Sequence, residues 1–538
     1  MESFAADLAT LVRRPLAPEH VQAMQKVGQI VHFDAGETVQ ETGAETALFH
    51  FVLQGELEVV DPVTNTRLGN ASLGPGQFFG DLQFLSGGVS LAGARALVAS
   101  ELLCVPRDKM LRLMSDMPEM SDIVVTVLAA RRRRAVEQSD GGLTLIGSEI
   151  SRNVREVGSF AARNRIPYRE VDAGSLEAQR LAAVCGLEEG VAGVIFGGRF
   201  KIDPPTPQGL AKALGLDLAV GGEETFDVLI VGGGPAGVAA AVYAGAEGLS
   251  ALVLEDLAIG GQAGTSSRIE NYMGFPTGIS GGDLVGRGEV QALKFGTRFA
   301  VPRRVSTLTQ CSEKYFHAAL ADGRSVSAKA LVVATGVQYR KLPLQGLERF
   351  EGAGVYYAAT EFEARLCKDA EVAVIGGGNS AGQAAMFMAR TARHVHILVR
   401  RDSLSDTMSD YLLQRLQSHP RIIIHTNTQV TALQGDTQLE SVTISDRASG
   451  QDWTLKTRAL FVMAGAAPNT EWLSGLIALD DKGFVVTGSD AGGRSSYETS
   501  CPGVFAVGDV RAGSVKRVAS AVGEGSVVMS AVWDHVKG

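Results

Sequence analysis

Cysteine is scarce: Cys104, Cys185, Cys311, Cys367 and Cys501 are the only five in 538 residues. No two form a C-x-x-C, which excludes a motif-built dithiol or zinc ribbon and fits reduced, mostly buried thiols. Long apolar runs are missing as well. No charge-free stretch reaches about 18 residues, and Met1–Arg14 carries charges on both sides of a short apolar run, so neither a spanning segment nor a signal peptide is expected. The expected location is cytoplasmic, with no membrane partner. A positive balance is also lacking: 50 Lys and Arg against 59 Asp and Glu give a net charge of -9, which argues against a nucleic-acid partner. The one basic block, Arg131–Arg134, reads as a solvated helix end leading into a linker.

Glycine, by contrast, is plentiful at 64 residues, and the length suggests three or four domains. The stretch Phe226–Gly237 reads Phe-Asp-Val-Leu-Ile-Val-Gly-Gly-Gly-Pro-Ala-Gly. Its apolar start predicts a buried parallel strand; Gly232, Gly234 and Gly237, with Pro235 and Ala236 between them, turn the chain into the helix-forming run Val238–Glu247. In such a turn the first glycine permits the bend, the second lets backbone amides approach a pyrophosphate, and the third lets helix pack on strand. Glu255 ends the next apolar run, Ala251–Leu254, 23 residues after Gly232, where a carboxylate can hold a ribose hydroxyl. Together these predict a dinucleotide site.

The pattern returns at Val372–Gly382, where Gly376, Gly378 and Ala381 form G-x-G-x-x-A around Asn379 and Ser380. Each unit closes on a similar strand: Ala330–Gly336, which brings Thr335 and Gly336, and Ala459–Gly465. Two such units in one chain suit electron transfer. Glu255 in the first would repel a 2′-phosphate. The second instead offers Arg400 and Arg401, 24 residues after Gly376, and paired guanidiniums suit the 2′-phosphate of NADPH. The first is therefore expected to take FAD and the second NADPH.

Ahead of these units, residues 1–137 alternate turns with short strands at Gly28–Phe33, Leu48–Leu53, Glu56–Val60 and Leu102–Val105. The runs Phe51–Val59 and Pro75–Leu85, followed by Pro106-Arg-Asp and a helix, resemble the cyclic nucleotide-binding domain. That family uses a Gly-Glu pair for the ribose and a later arginine for the cyclic phosphate. Here Gly80 and Asp81 take the first place, Ser90 stands at the arginine's, and Arg95 is out of register. Losing a charge-assisted contact of about 1.5–3 kcal/mol weakens binding roughly 10- to 100-fold, so a degenerate sensor or docking module is expected rather than a cyclic nucleotide receptor.

After the linker Glu137–Gly142, residues 142–218 read β-α-β-α-β-β-α, with strands at Leu143–Ile146, Tyr168–Asp172, Val191–Phe196 and Arg199–Ile202. The order resembles a thioredoxin or glutaredoxin fold. Its redox pair would follow the first strand, where this chain has Ser148-Glu-Ile-Ser151; Ala192 stands near the place of the usual proline. Serine cannot replace a thiolate nucleophile, so a redox-silent adaptor is expected, with Cys185 as core.

Residues 225–538 resemble the low-molecular-weight thioredoxin reductases, on Gly232–Gly237, Gly260-Gly-Gln262, Ile269-Glu-Asn271, Gly376–Ser380, Arg400-Arg-Asp402, Ala467–Thr470 and Gly503–Asp509. The resemblance implies an FAD domain of 225–345 and 466–538, an NADPH domain of 346–465 inserted into it and able to swivel, and a homodimer. It places Gly261, Gln262 and Asn271 against the flavin and has Asp509 accept a ribitol hydroxyl; a helix cap is the plain alternative for Asp509. It also aims a helix starting near Arg517 and Val518 at the flavin pyrimidine edge. The expected architecture is thus multidomain: a β-roll cyclic nucleotide-binding-like domain, an α/β thioredoxin-like domain and two Rossmann-like α/β domains.

Two departures bear on function. Ser405 stands where the family carries a further arginine, which would admit NADH beside NADPH. The catalytic C-x-x-C should follow Gly354-Val355, yet Ala358 and Glu361 occupy the cysteine positions, Cys367 reads as core, and the tail Val532–Gly538 offers no cysteine. No catalytic residue is assigned. His394 and His396 share a strand face without a third ligand, so no metal is expected; His535 is a candidate to reach a neighbouring flavin in a dimer. The leading expectation is an NADPH-dependent FAD oxidoreductase passing electrons directly to a ferredoxin-like protein, quinone, oxygen or disulfide. The alternatives are a redox or nucleotide sensor with little turnover, and a thioredoxin-disulfide reductase using partner cysteines.

Overall fold

The computed structural model describes residues 14–538 apart from 62–65, 139–140, 149, 188–191, 198–199, 218–223, 267, 313–314, 340 and 474. The expected strand start at Val191, the hairpin start at Arg199 and the side chain of Glu361 lie outside the described residues.

The N-terminal unit is a roll of two four-stranded antiparallel sheets. Strands Gln29–Phe33, Ser100–Pro106, Leu48–Gln54 and Phe78–Phe79 form one; Thr38–Gln40, Gly93–Ala96, Leu57–Val60 and Arg67–Leu73 form the other. Phe49, Phe51, Phe78 and Phe84 fill its core. Helix α1 (Pro118–Gln138) closes it with Met120, Val124, Val127 and Leu128, one buried stripe at helical spacing.

The basic block in α1 is not a solvated helix end. Arg131 donates to the Phe78 carbonyl at 2.6 Å and lies 5.1 Å from that ring's centroid. Arg132 pairs with Asp81, Nε to Oδ2 at 3.1 Å, and Arg133 reaches Asp283 at 3.5 Å. Four consecutive residues sweep every face of a helix, so part of the run must point inward. The groups that would read a nucleotide are satisfied internally. Asp81 is held by Arg132, Arg95 donates to Glu58 at 2.9 Å, and the Ser90 hydroxyl donates to the Ala92 carbonyl at 2.7 Å.

The middle unit has strands Leu143–Ile146, Tyr168–Val171, Gly193–Phe196 and Phe200–Lys201 in one four-stranded sheet. The first is parallel to the second and antiparallel to the third. Helix α2 (Arg152–Arg163) begins at Ser151, whose hydroxyl accepts from the Val154 amide at 3.4 Å; Val154, Val157, Phe160 and Ala161 pack inward. Cys185 is half-buried at the edge of the cluster around Ile146, Leu181 and Ile195.

Next comes a seven-stranded sheet in the order Arg298–Ala300, Ala251–Leu254, Thr225–Val231, Ser325–Val333, Tyr315–Leu320 and Val305–Ser312, with Val504–Ala506 also beside Ser325–Val333. Its strand Thr225–Val231 is parallel to both neighbours, and Val228, Leu229 and Ile230 are buried, as a sheet covered on both faces requires. Helices α3 (Pro235–Ala246) and α4 (Gly281–Lys294) follow its glycine turns. Between Val333 and Val504 the chain builds a five-stranded parallel sheet, Val355–Tyr356, Ala459–Val462, Glu371–Ile375, His394–Leu398 and Ile422–His425. Helix α5 (Asn379–Met388) lies on it, and helix α6 (Val518–Lys537) ends the chain against α3. Among the described residues no helix is long and apolar enough to cross a membrane.

The front units are not loosely tethered. Val290 and Leu293 of α4 pack into the N-terminal unit's core, and Lys294 pairs with Asp122 of α1 at 2.9 Å. Because the candidate nucleotide readers of the roll are already paired, millimolar cyclic AMP is expected to leave the melting temperature of the full chain unchanged. A ligand at a hundred times its Kd would add about 2.7 kcal/mol, so a clear upward shift in differential scanning calorimetry would overturn this.

Candidate functional site

One cavity of about 1990 Å³ lies where the two glycine-turn units meet. Ordinary small-ligand pockets run to about 300–1,000 Å³, so it has room for two dinucleotides. Strand Thr225–Val231 delivers Gly232 at φ +109°, and a Cβ at Gly237 would stand 1.8 Å from the Gly232 carbonyl oxygen, so α3 is pressed against the turn. Gly234 caps α3 with Pro235 as the next residue, and nothing lies within 4 Å of where a Gly234 side chain would begin. That open space at a helix N-terminus is a fit for a pyrophosphate.

Glu255 lies below it, 8% exposed. One carboxylate oxygen accepts from the Gly233 amide at 2.7 Å and the other from Leu257 and Ala258 at 3.0 and 3.4 Å. A carboxylate has about four acceptor positions, so capacity remains for a ribose hydroxyl. Burial, aided by the neighbouring Asp256 charge, pushes its pKa up to about 8.

The cavity wall continues through Gly261, Gln262, Asn271, Thr335 and Gly336. Gln262 donates to the Val337 carbonyl at 2.7 Å, and the Thr335 hydroxyl to the Asn469 carbonyl at 2.9 Å. Asp509 sits in the short turn Gly508–Val510; burial raises its pKa, against the attraction of Lys516. It caps no helix: α6 is preceded by Arg517, without a side-chain cap bond, and Arg517 and Val518 both face the cavity.

Sequence reasoning missed Glu524. It is buried on α6, accepts from the Gly508 amide at 2.7 Å and pairs with Arg511 at 2.8 Å, fixing the turn that carries Asp509. The available signal was a lone carboxylate among Ala521, Gly525 and Val528 on the helix's buried face.

In the second unit Gly376 has φ +144°, and a Cβ there would be 2.6 Å from the Met463 carbonyl oxygen. Gly378 caps α5; Asn379 accepts from the Ser409 amide and hydroxyl at 2.8 and 2.9 Å; Ala381 is fully buried. Asn379 and Ser380 line the shared cavity, whereas Gly237, Gly376, Gly378, Ala381, Arg400 and Arg401 stand off its wall. Arg400 and Arg401 are exposed, and neither guanidinium has an acceptor among the described residues.

Ala358 is buried in the cavity wall, and the Cys367 thiol is buried with its pKa pushed up to about 12 by burial and Glu363. His394 and His396 share one carboxylate, Glu371, at 3.0 and 2.9 Å, and His396 also bonds His425 at 3.0 Å. His535 packs on Phe505 of its own chain, ring centroids 6.4 Å apart.

With this geometry in hand, residues 226–525 match the pyridine nucleotide-disulphide oxidoreductase family and residues 30–117 the cyclic nucleotide-binding domain. A thioredoxin reductase of Mycolicibacterium smegmatis is 34% identical over 304 residues, 56% of this chain and 94% of that protein. An alkyl hydroperoxide reductase component of Pseudomonas putida is 34% identical over 320 residues, 59% of each chain. The solved thioredoxin reductase of Lactococcus lactis superposes with a TM-score of 0.53 at 29% identity, covering 58% of this chain and 99% of its own.

Glu255 provides a test. Its folded pKa lies above the ordinary carboxylate value, so folding takes up a proton and stability falls as pH rises from about 4.5 toward 8. In cofactor-free protein Glu255→Gln lacks this titration, so the wild type should lose melting temperature relative to the variant between pH 5.5 and pH 8.5. Parallel melting curves would refute the assignment.

Proposed function

The chain belongs to the pyridine nucleotide-disulphide oxidoreductase family, as an NAD(P)H flavoprotein oxidoreductase of thioredoxin reductase-like type, and on that premise we propose that it is an NADPH-dependent FAD oxidoreductase that hands electrons to an acceptor without a dithiol of its own. The observation that carries this is the wall of the cavity: Ala358 stands where a cysteine would be needed, and Cys367, the nearest thiol in sequence, is sealed and protonated at neutral pH. Bound FAD supplies hydride acceptance from the nicotinamide and electron delivery to the acceptor.

The remaining work falls to the chain's own residues. The N-terminus of α3, open over Gly234, neutralises the diphosphate; Glu255 keeps an acceptor position for the ribose. Asp509, held by Glu524 through the Gly508 amide, takes a ribitol hydroxyl, and α6 points its N-terminal partial charge into the same space. Gly376–Ala381 forms the second turn, with Arg400 and Arg401 free to bind a 2′-phosphate. Ser405 is occupied with Ser403 at 2.8 Å and adds no charge, so NADH is admitted with lower preference. Tyr243, Val527 and Trp533 leave exposed apolar side chains on α3 and α6 that suit a homodimer. The front units are read as a degenerate cyclic nucleotide-binding-like domain and a redox-silent thioredoxin-like adaptor.

Anaerobic addition of NADPH should bleach the flavin absorbance; persistence of the oxidised spectrum would sink the reductase reading. In the double variant Arg400→Ala, Arg401→Ala, the NADPH concentration for half-maximal bleaching should rise roughly 10- to 100-fold, the cost of lost charge-assisted bonds. NADH should respond within about twofold.

A further inference from the structure

The middle unit does more than sit in front of the dinucleotide units. One face of α2, carrying Arg155, Ser159, Ala162 and Arg163 at helical spacing, lines the shared cavity. The helix is clamped at both ends. Asn164, just past its C-terminus, donates to the Leu257 carbonyl at 3.1 Å, and Arg165 donates to the Gly282 carbonyl at 2.9 Å and pairs with Glu289 of α4. At the other end Arg155 donates to the Gly352 carbonyl at 3.3 Å, and Arg365 stands 3.7 Å from Glu170. Leu257 is two residues from Glu255, so α2 bridges from the first glycine-turn unit to the second.

Among the arginines of this wall, Arg155 and Arg165 spend their N–H groups on those contacts. Arg163 does not. Its Nε is buried without an acceptor among the described residues. A buried, unpaired polar atom costs about 1–3 kcal/mol, and more on a charged group. The plain explanation for an arginine in the last turn is attraction to the helix dipole. That leaves Nε unpaired, and the Phe160 carbonyl at this end is already taken by the Asn164 side chain and backbone at 2.9 and 3.0 Å. Nε is closed to solvent, so an anion in the cavity would be met by the two terminal nitrogens, which have no acceptor among the described residues and can hold a phosphate in two parallel bonds.

We propose that the middle unit is a third wall of the dinucleotide site and that Arg163 binds a phosphate of a dinucleotide held in the cavity. This rests on the reading that the cavity takes FAD and NADPH, and either could supply the phosphate: the FAD diphosphate, or the phosphates of NADPH. Binding of that dinucleotide and docking of the middle unit are then linked, since the same helix serves both.

The test uses the full chain and equilibrium binding. The Kd of FAD for cofactor-free protein is read by flavin fluorescence, and the Kd of NADP+ for flavin-loaded protein by equilibrium dialysis, in wild type, Arg163→Ala, Arg163→Lys and Arg155→Ala. One of the two constants should weaken roughly 10- to 100-fold in Arg163→Ala and less in Arg163→Lys, which keeps the charge without the fork. The constant that moves identifies the source. Both constants within twofold of wild type would overturn the proposal, as would an equal loss in Arg155→Ala, which would trace the effect to docking alone. Should Arg163→Ala fail to fold, Arg163→Lys and Arg163→Gln carry the same comparison. A wild type that binds both dinucleotides yet never bleaches with NADPH refutes the reductase reading and leaves this one standing.

Discussion

Helix α3 occupies its place because glycines, its own Gly237 and Gly525 of α6, stand where side chains would collide. A Cβ at Gly237 would meet the Gly232 carbonyl oxygen at 1.8 Å, and one at Gly525 of α6 would meet the Ala236 carbonyl oxygen at 2.1 Å. Backbone therefore touches backbone on two sides of a helix composed almost wholly of alanine, glycine and valine. That closeness sets the rest. It brings the N-termini of α3 and α6 to one space, and lets Glu524 reach the Gly508 amide and lock the turn bearing Asp509. Interiors packed this closely do not absorb an added methyl without displacing a helix.

The chemistry that the cavity supports follows from what its wall contains. Thiol exchange needs an accessible thiolate, and neither Ala358 nor the sealed Cys367 provides one. Of its polar groups, Glu255, Gln262, Thr335 and Asp509 are each set by backbone contacts or by a fixed turn, which suits holding a large cofactor in one orientation. Under the function proposed above, electrons that enter such a site leave through whatever reaches the cofactor.

The front units are packed closely against the rest of the chain. In the roll, Arg132 neutralises Asp81 and Arg95 neutralises Glu58, so the polar residues near the expected nucleotide pocket answer one another. Its core extends instead onto Val290 and Leu293 of α4. The middle unit is bound to both glycine-turn units through α2, and a four-charge network of Arg303, Arg324, Asp217 and Asp322 ties its end to the seven-stranded sheet. Because Arg303 is nearly buried, that network resists separation more than exposed pairs would.

By itself the sequence determined the two glycine turns, their strand-helix settings, the contrast between Glu255 and Arg400-Arg401, and the loss of the cysteine pair. These are local demands: a positive φ, a close helix approach or a nucleophilic sulfur can be met by only one or two residue types, so residue identity and spacing carry them. Only the tertiary structure decided what depended on residues distant in the chain. The run Arg131–Arg134 looked solvated because Phe78 and Asp81 lie about fifty positions away. His394 and His396 showed no third ligand near them in sequence, and only the fold sets Glu371 and His425 beside them. Arg163 carried no motif at all; its importance comes from the clamp of α2 between Leu257 and Gly352, contacts separated by 93 and 197 positions, and from a cavity that no single segment encloses.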